Sequence, residues 1–187
     1  TTVAQPIVEL DGQTVVALEL LSRGPLGPFH RPHQFLGLAS EHRMMNQIDH
    51  RCLAACVDAA QRIDPSIHIH LNLRPTTALH LSALELAATL RPLEGRCSLE
   101  ISDREIIGDP GELAAALDTV RARGFSLVLE DAGFGRRDLE SMILLRPDTV
   151  KLGKDHVIGI GDDPGRVRTM RRLLAVVDRL DCRVIAA

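Results

Sequence analysis

The sequence predicts an α/β protein built on a parallel sheet, either open or closed into a β/α barrel, and three features carry that expectation. After an initial hairpin, short apolar strands alternate with amphipathic helices five times, the pattern of parallel strands joined by crossover helices. Each strand carries one polar residue at or near its C-terminal end, which is where a β/α barrel builds its site. None of the strands opens onto GxGxxG or GxxxxGK, which argues against a Rossmann or P-loop domain.

The elements follow in order. "QPIVEL" (5–10) and "TVVALELLS" (14–22) read as strands, joined at Asp11–Gly12 by a hairpin turn signal. A long helical stretch places Ile48, Cys52, Cys56, Ala59 and Ile63 at helical spacing. "IHIHLNL" (67–73) is the next strand, and His68 and His70 alternate within it, so they can point the same way. A helix near 78–90 leads to the strand "CSLEIS" (97–102). "DPGELAAALDTVRARG" is a helix with both ends written in. Asp109 caps it, Pro110 suits the first position, Glu112 completes a capping-box arrangement and Gly124 stops it. "FSLVLE" (125–130), a short helix, "DTVKL" (148–152), a helix across 165–180 and "RVIAA" (183–187) complete the pattern.

Composition bounds the function. The 187 residues suggest one domain or a large part of a bigger protein, and 45% hydrophobic against 25% charged is an ordinary globular balance. With no Trp or Tyr and four Phe, the core must be filled by Leu, Val, Ile and Ala. A formal charge of −3 gives no polyanion-binding surface, so DNA and RNA polymers are not expected partners. The segment has no run of about 18 apolar residues and no signal-peptide pattern, so no membrane contact is expected from it. Cys52, Cys56, Cys97 and Cys182 show no CxxC spacing, which points to core packing and a reducing cytoplasm.

"LVLEDAGFG" (127–135) sets two carboxylates, Glu130 and Asp131, side by side where a buried strand meets a glycine loop. Adjacent carboxylates repel, so such a pair marks either a solvated loop start or a cation between them. Other strands bear on the choice. Glu19, Asn72, Glu100, Glu130 and Lys151 each interrupt an apolar strand. Leu71 and Leu73 flank Asn72, Leu99 and Ile101 flank Glu100, and Val150 and Leu152 flank Lys151. If those flanks face the helix layer, period-2 alternation sends the polar residue to the interior. One polar strand end is commonly an isolated, satisfied group. Five in order point to a shared site, since burying five such groups is unfavourable unless they satisfy one another or a metal. Three carboxylates, an amide and an ammonium make a hard-cation site with a lysine that contacts phosphate or water.

The same residues resemble the EAL domain, the cyclic di-GMP phosphodiesterase family, over residues 1–187. "QPIVEL" is similar to the family's QPI opening and "ELLSR" to EALLR, with Leu20 in place of Ala and Ser22 in place of Leu. "LNL" resembles NLS, "LEISD" resembles LEITE, and "LEDAGFG" resembles DDFGTG. "VKLGKDHV" resembles KIDRSFV, and "RVIAA" the beginning of VVAEGVE. The resemblance implies a TIM-like β/α barrel whose first strand runs antiparallel, with a further strand and helix beyond residue 187. It implies two Mg²⁺ or Mn²⁺ ions and hydrolysis of one phosphodiester bond of cyclic di-GMP to linear pGpG. Carried over by position, Glu19, Asn72, Glu100 and Glu130 would ligate metal. Asp131 would serve the second ion, and Lys151 would orient the water or neutralise a phosphate oxygen. Gln5 and Arg23 would contact the nucleotide, the arginine fork suiting a phosphate or a guanine edge. Asp103 stands at the family's loop-anchoring Glu, and the loop "DAGFGRRDL" (131–139) stands where the family links the metals to a dimer interface, so a homodimer or protein partner is a further expectation.

Departures from the family pattern fall on the chemistry. Ala187 stands where the family has the Glu of VVAEGVE, and alanine neither ligates nor accepts a proton. Gly153 replaces the Asp of KID, and Glu130 lengthens the first Asp of DDFGTG by a methylene. In the loop, Ala132, Phe134 and Arg136 replace Phe, Thr and Tyr. The sequence therefore predicts a divergent EAL domain that binds cyclic di-GMP with impaired hydrolysis. The alternatives are a weakly active metal-dependent phosphodiesterase and a protein-interaction domain that no longer binds nucleotide.

Overall fold

In the computed structural model, residues 1–10, 14–132 and 136–186 are described. Seven strands form one sheet in chain order: β1 (Thr2–Val8), β2 (Val15–Ser22), β3 (His68–Asn72), β4 (Cys97–Ser102), β5 (Ser126–Glu130), β6 (Thr149–Leu152) and β7 (Arg183–Ala186). β1 pairs antiparallel with β2, and every later neighbour is parallel. The sheet curls into a half-barrel, the expected β/α architecture with an antiparallel first strand. Asp11 and Gly12, the expected hairpin turn, lie outside the described residues, as do 133–135 and Ala187. Glu9 N–H nevertheless donates to Thr14 C=O at 2.9 Å, closing the hairpin above that turn.

Helices α1 (Pro32–Glu41), α2 (Met45–Ala60), α3 (Pro75–His80), α4 (Ala83–Leu90), α5 (Pro110–Arg121), α6 (Arg136–Leu145), α7 (Lys154–Val157) and α8 (Pro164–Arg179) connect the strands. The core lies between the helix layer and the outer sheet face. Leu20, Leu71, Leu99, Leu129 and Val150 from the strands meet Leu53, Leu90, Leu117, Met142 and Leu173 from α2, α4, α5, α6 and α8. Aliphatic side chains dominate it, with Phe125 the aromatic member. Because the flanking leucines face outward, register alignment puts Glu19, His70, Ser98 and Ser126 together on the inner face.

Three local expectations need correction. The expected row Ile48, Cys52, Cys56, Ala59 and Ile63 is only half-buried apart from Cys56, with Ala59 and Ile63 packed at the core edge, and the deepest face of α2, Asp49, Leu53, Cys56, Val57 and Ala60, lies about one residue's rotation away. The helix near 78–90 is two helices. Leu81 is extended, and Ser82 opens α4 with a capping box, its hydroxyl accepting from Glu85 N–H at 3.2 Å. Asp109 does cap α5, accepting from Gly111 N–H at 2.8 Å, but no capping box with Glu112 forms. Gly124 ends this unit with φ +83°, a conformation that favours glycine.

Candidate functional site

The cluster is organised around one ammonium. Lys151 Nζ on β6 lies 2.8 Å from Glu19 Oε2 on β2, 2.7 Å from Glu100 Oε2 on β4 and 3.1 Å from Glu130 Oε1 on β5. Asn72, at the end of β3, donates from Nδ2 to Glu19 Oε1 at 3.2 Å. The strands place these groups by register: Asn72 is aligned with Glu100, and Glu130 with Lys151. Five residues spread over 132 positions of sequence thus meet at one end of the sheet. Glu19, Glu100 and Lys151 are buried, Glu130 is half-buried, and Asn72 is exposed at the mouth.

Burial and pairing compete at each group. Burial would raise Glu100, but the hydrogen bond with His70 and the Lys151 ammonium outweigh it and hold the carboxyl below its usual range. At Glu130 burial wins over Lys151, with help from the Glu100 charge, and the carboxyl is raised. For Lys151, burial opposes the charge, yet Glu100, Glu130 and Glu19 together push its pKa up. With all these groups charged, three carboxylates against one ammonium leave a net charge of −2. One ligand oxygen from each of Glu19, Glu100 and Glu130 lies within 4.8 Å of the others. An all-oxygen donor set, a residual double negative charge and a cation already held among them fit a divalent ion such as Mg²⁺ or Mn²⁺.

The adjacent carboxylates at the end of β5 are separated by the backbone. Glu130 ends the strand and turns to Lys151, whereas Asp131 takes a left-handed φ of 56°, which Asp tolerates better than most residues. Asp131 therefore sits at the rim, 4.0 Å from Arg104 Nε, and lies against Gly153. A Cβ at Gly153 would come within 2.9 Å of Asp131 Oδ1, so the missing side chain leaves room for this carboxylate.

Beside the cluster opens a cleft of about 290 Å³ lined by Arg23, Asn72, Glu100, Glu130 and Asp131. Arg23 follows β2 and donates from Nη1 to Ser22 C=O at 3.0 Å, leaving its guanidinium on the cleft wall. Gln5 is aligned with Glu19 on β1 but is exposed and does not reach the lining. Asp103 is buried in a 3₁₀ turn after β4, and its C=O accepts from Ile106 N–H at 3.1 Å.

Sequence reasoning passed over four participants. His70 Nδ1 lies 2.7 Å from Glu100 Oε1. Its alternation with His68 was a visible signal, but a partner 30 residues away was not. On the cleft wall, Arg74 pairs with Glu105 at 2.7 Å and donates its backbone N–H to buried Asp49 at 3.2 Å. Burial raises the Asp49 and Glu105 carboxyls. A carboxylate at Asp49 within an otherwise apolar α2 face was the available clue.

A curled parallel sheet with an antiparallel first strand and an acidic, lysine-bridged mouth defines the class: a TIM-like β/α domain with a candidate acidic metal site. The EAL domain family model matches residues 1–187, and the chain belongs to the EAL domain family. It is 24% identical over 196 aligned residues to the probable cyclic di-GMP phosphodiesterase PdeG of Escherichia coli, covering 97% of this chain and 38% of that protein. It is 25% identical to the cyclic di-GMP phosphodiesterase NbdA of Pseudomonas aeruginosa, over 97% of this chain and 24% of that one. The chain thus spans well under half of these curated relatives. Among solved structures, Klebsiella pneumoniae BlrP1 in its calcium and cyclic di-GMP complex superposes with a TM-score of 0.84 at 22% identity, over 98% of this chain and 47% of that one. The Xanthomonas citri FimX EAL domain in complex with cyclic di-GMP gives 0.84 at 17% identity, over 99% and 76%. These superpositions establish the fold.

Proposed function

We propose that this EAL domain binds cyclic di-GMP in the cleft beside Glu19, Glu100 and Glu130 as a regulatory module whose hydrolysis of the nucleotide is impaired. The observation carrying the proposal is that Arg23, a cation suited to phosphate, lines the same cleft as Asn72, Glu100 and Glu130. Glu19, Asn72, Glu100 and Glu130 would hold a Mg²⁺ or Mn²⁺ ion, with Asp131 at the rim available to a second. When bound, such an ion supplies Lewis acidity toward a phosphodiester. Lys151, whose three N–H groups face Glu19, Glu100 and Glu130, would neutralise those carboxylates and would be released toward a phosphate oxygen or water only where a metal ion takes its place among them. Arg23 would anchor the nucleotide, and Gln5, outside the cleft lining, would reach it only at the edge beside Glu19. A cytoplasmic setting suits a domain recognising this nucleotide, and among the described residues no helix is long and apolar enough to cross a membrane.

Slow turnover follows from the two positions at which the family pattern has a carboxylate and this chain has none, Gly153 and Ala187. Loss of a general base is worth about 10² to 10⁴ in rate. A second reading, weak but genuine phosphodiesterase activity, is favoured by the intact grouping of Glu19, Asn72, Glu100, Glu130 and Lys151. The two readings part in a product assay on the full-length protein with Mg²⁺ or Mn²⁺. Negligible pGpG release that rises in an Ala187→Glu variant supports impaired catalysis, and slow, metal-dependent release by the unaltered protein supports the second reading. Rapid release by the unaltered protein contradicts both.

A further inference from the structure

The inner face beneath the carboxylates is polar, although barrel interiors are commonly packed with layers of Val, Ile and Leu. His68, His70, Ser98, Ser126 and Thr149 lie there by register. His70 stands two residues before Asn72 and is only 6% exposed. Its Nδ1 lies 2.7 Å from Glu100 Oε1, while the other oxygen of Glu100 accepts from Lys151 at 2.7 Å. An ionised carboxylate has no proton to give, so the hydrogen in the first bond belongs to Nδ1 whatever the charge of the ring.

The two oxygens of Glu100 therefore face different ways. Oε2 turns toward Lys151, which also holds Glu19 and Glu130, so this is the cluster side. Oε1 turns down the interior toward His70. Beneath it, His68 meets the His70 ring edge-on with centroids 5.5 Å apart, and its own Nε2 lies 2.8 Å from Ser98 Oγ. Burial, then the neighbouring His70 and Arg183 charges, lower the His68 pKa to about 4. A neutral, hydrogen-bonded His68 thus packs edge-on against His70.

We propose that His70 is a positioning residue for the metal site: its Nδ1–H holds Glu100 Oε1 and leaves Oε2 as the oxygen presented to a divalent cation. The inference rests on the metal-binding reading above and adds a residue to it. Outer groups that orient a ligating carboxylate typically matter 10- to 100-fold in metal affinity. If His70 were merely a satisfied core histidine, its replacement would alter folding stability and leave the affinity of folded protein for metal unchanged.

The test is calorimetric titration of Mn²⁺ alone into metal-stripped full-length protein, with unfolding of each variant followed in chelator. His70→Leu and His70→Gln should weaken Mn²⁺ binding about 10- to 100-fold. His70→Asn should stay close to wild type, because an asparagine amide can take the place of Nδ1–H whereas the longer glutamine cannot. If His70→Leu fails to fold, the contrast between Asn and Gln carries the test. Wild-type affinity in His70→Gln, or equal loss in the Asn and Gln variants, would overturn the inference. Absence of Mn²⁺ binding by wild type is a separate outcome that refutes the metal-site reading and the His70 inference with it.

Discussion

Lys151→Met probes the centre of the site most severely. The substitution keeps most of the side-chain volume and deletes the ammonium that lies 2.7–3.1 Å from three carboxylates. Two of the three have almost no access to water, with side-chain exposures of 0% for Glu100 and 8% for Glu19, so solvent screens the lost pairing little. Breaking a buried pair by removing one partner costs about 3–5 kcal/mol, because the remaining charge is left uncompensated. Three mutually repelling carboxylates put Lys151→Met within that range at neutral pH. Acidification should shrink the deficit, since a protonated carboxyl no longer needs a counter-ion. A divalent cation should also shrink it by replacing the missing positive charge. Ligand present at about a hundred times its dissociation constant stabilises by about 2.7 kcal/mol. Urea unfolding of wild type and variant, in chelator and in excess Mn²⁺, reads both effects. A destabilisation under about 1 kcal/mol, the scale of an exposed pair, would refute the reasoning, as would a variant that Mn²⁺ does not stabilise.

The remaining predictions concern pH and ligand. Glu100 is depressed below its ordinary value of 4.5, so its stabilising contribution is present above that value and is lost as pH falls through its folded pKa. Glu100→Gln should lower stability at neutral pH and flatten the acid limb of a stability–pH curve; an unchanged limb would contradict the assignment. Lys151 is raised above 10.5, so its contribution should stay constant below that value and fade only at more alkaline pH, as unfolding titrations can check. Arg23→Ala should weaken cyclic di-GMP binding roughly ten- to a hundredfold, since a charge-assisted hydrogen bond contributes about 1.5–3 kcal/mol. Glu19→Gln should do less when affinities are compared in chelator, because it also removes a carboxylate that repels phosphate.

The site residues were legible because a strand alternates with period two, and a polar residue between two leucines reveals its facing without tertiary information. Glu100 and Lys151 follow that rule, and their neighbours Leu99, Ile101, Val150 and Leu152 are buried on the outer side. Helix α2 was less legible. Its apolar stripe is wide and rich in Ala and Cys, and buried Asp49 disguises the face that turns inward. The break at Leu81–Ser82 did have a signal, the Ser82…Glu85 capping box, hidden within a run otherwise favourable to one helix. His70 and Arg74 were harder, because their partners Glu100 and Glu105 lie on other elements and only strand register and loop path bring them near. Gln5 shows the converse. It is aligned with Glu19, but its exposure depends on what surrounds β1, which the sequence does not reveal.

The central claim, that this domain still reads cyclic di-GMP while processing it slowly, is tested most directly by calorimetric titration of the nucleotide into full-length protein. The titration is run with Mn²⁺ and with chelator, and the nucleotide is recovered and analysed afterwards. Saturable one-site binding with the dinucleotide recovered largely uncleaved is the predicted result. No binding under either condition would contradict the claim and favour a protein-interaction role, and recovery of pGpG throughout would contradict it from the other side.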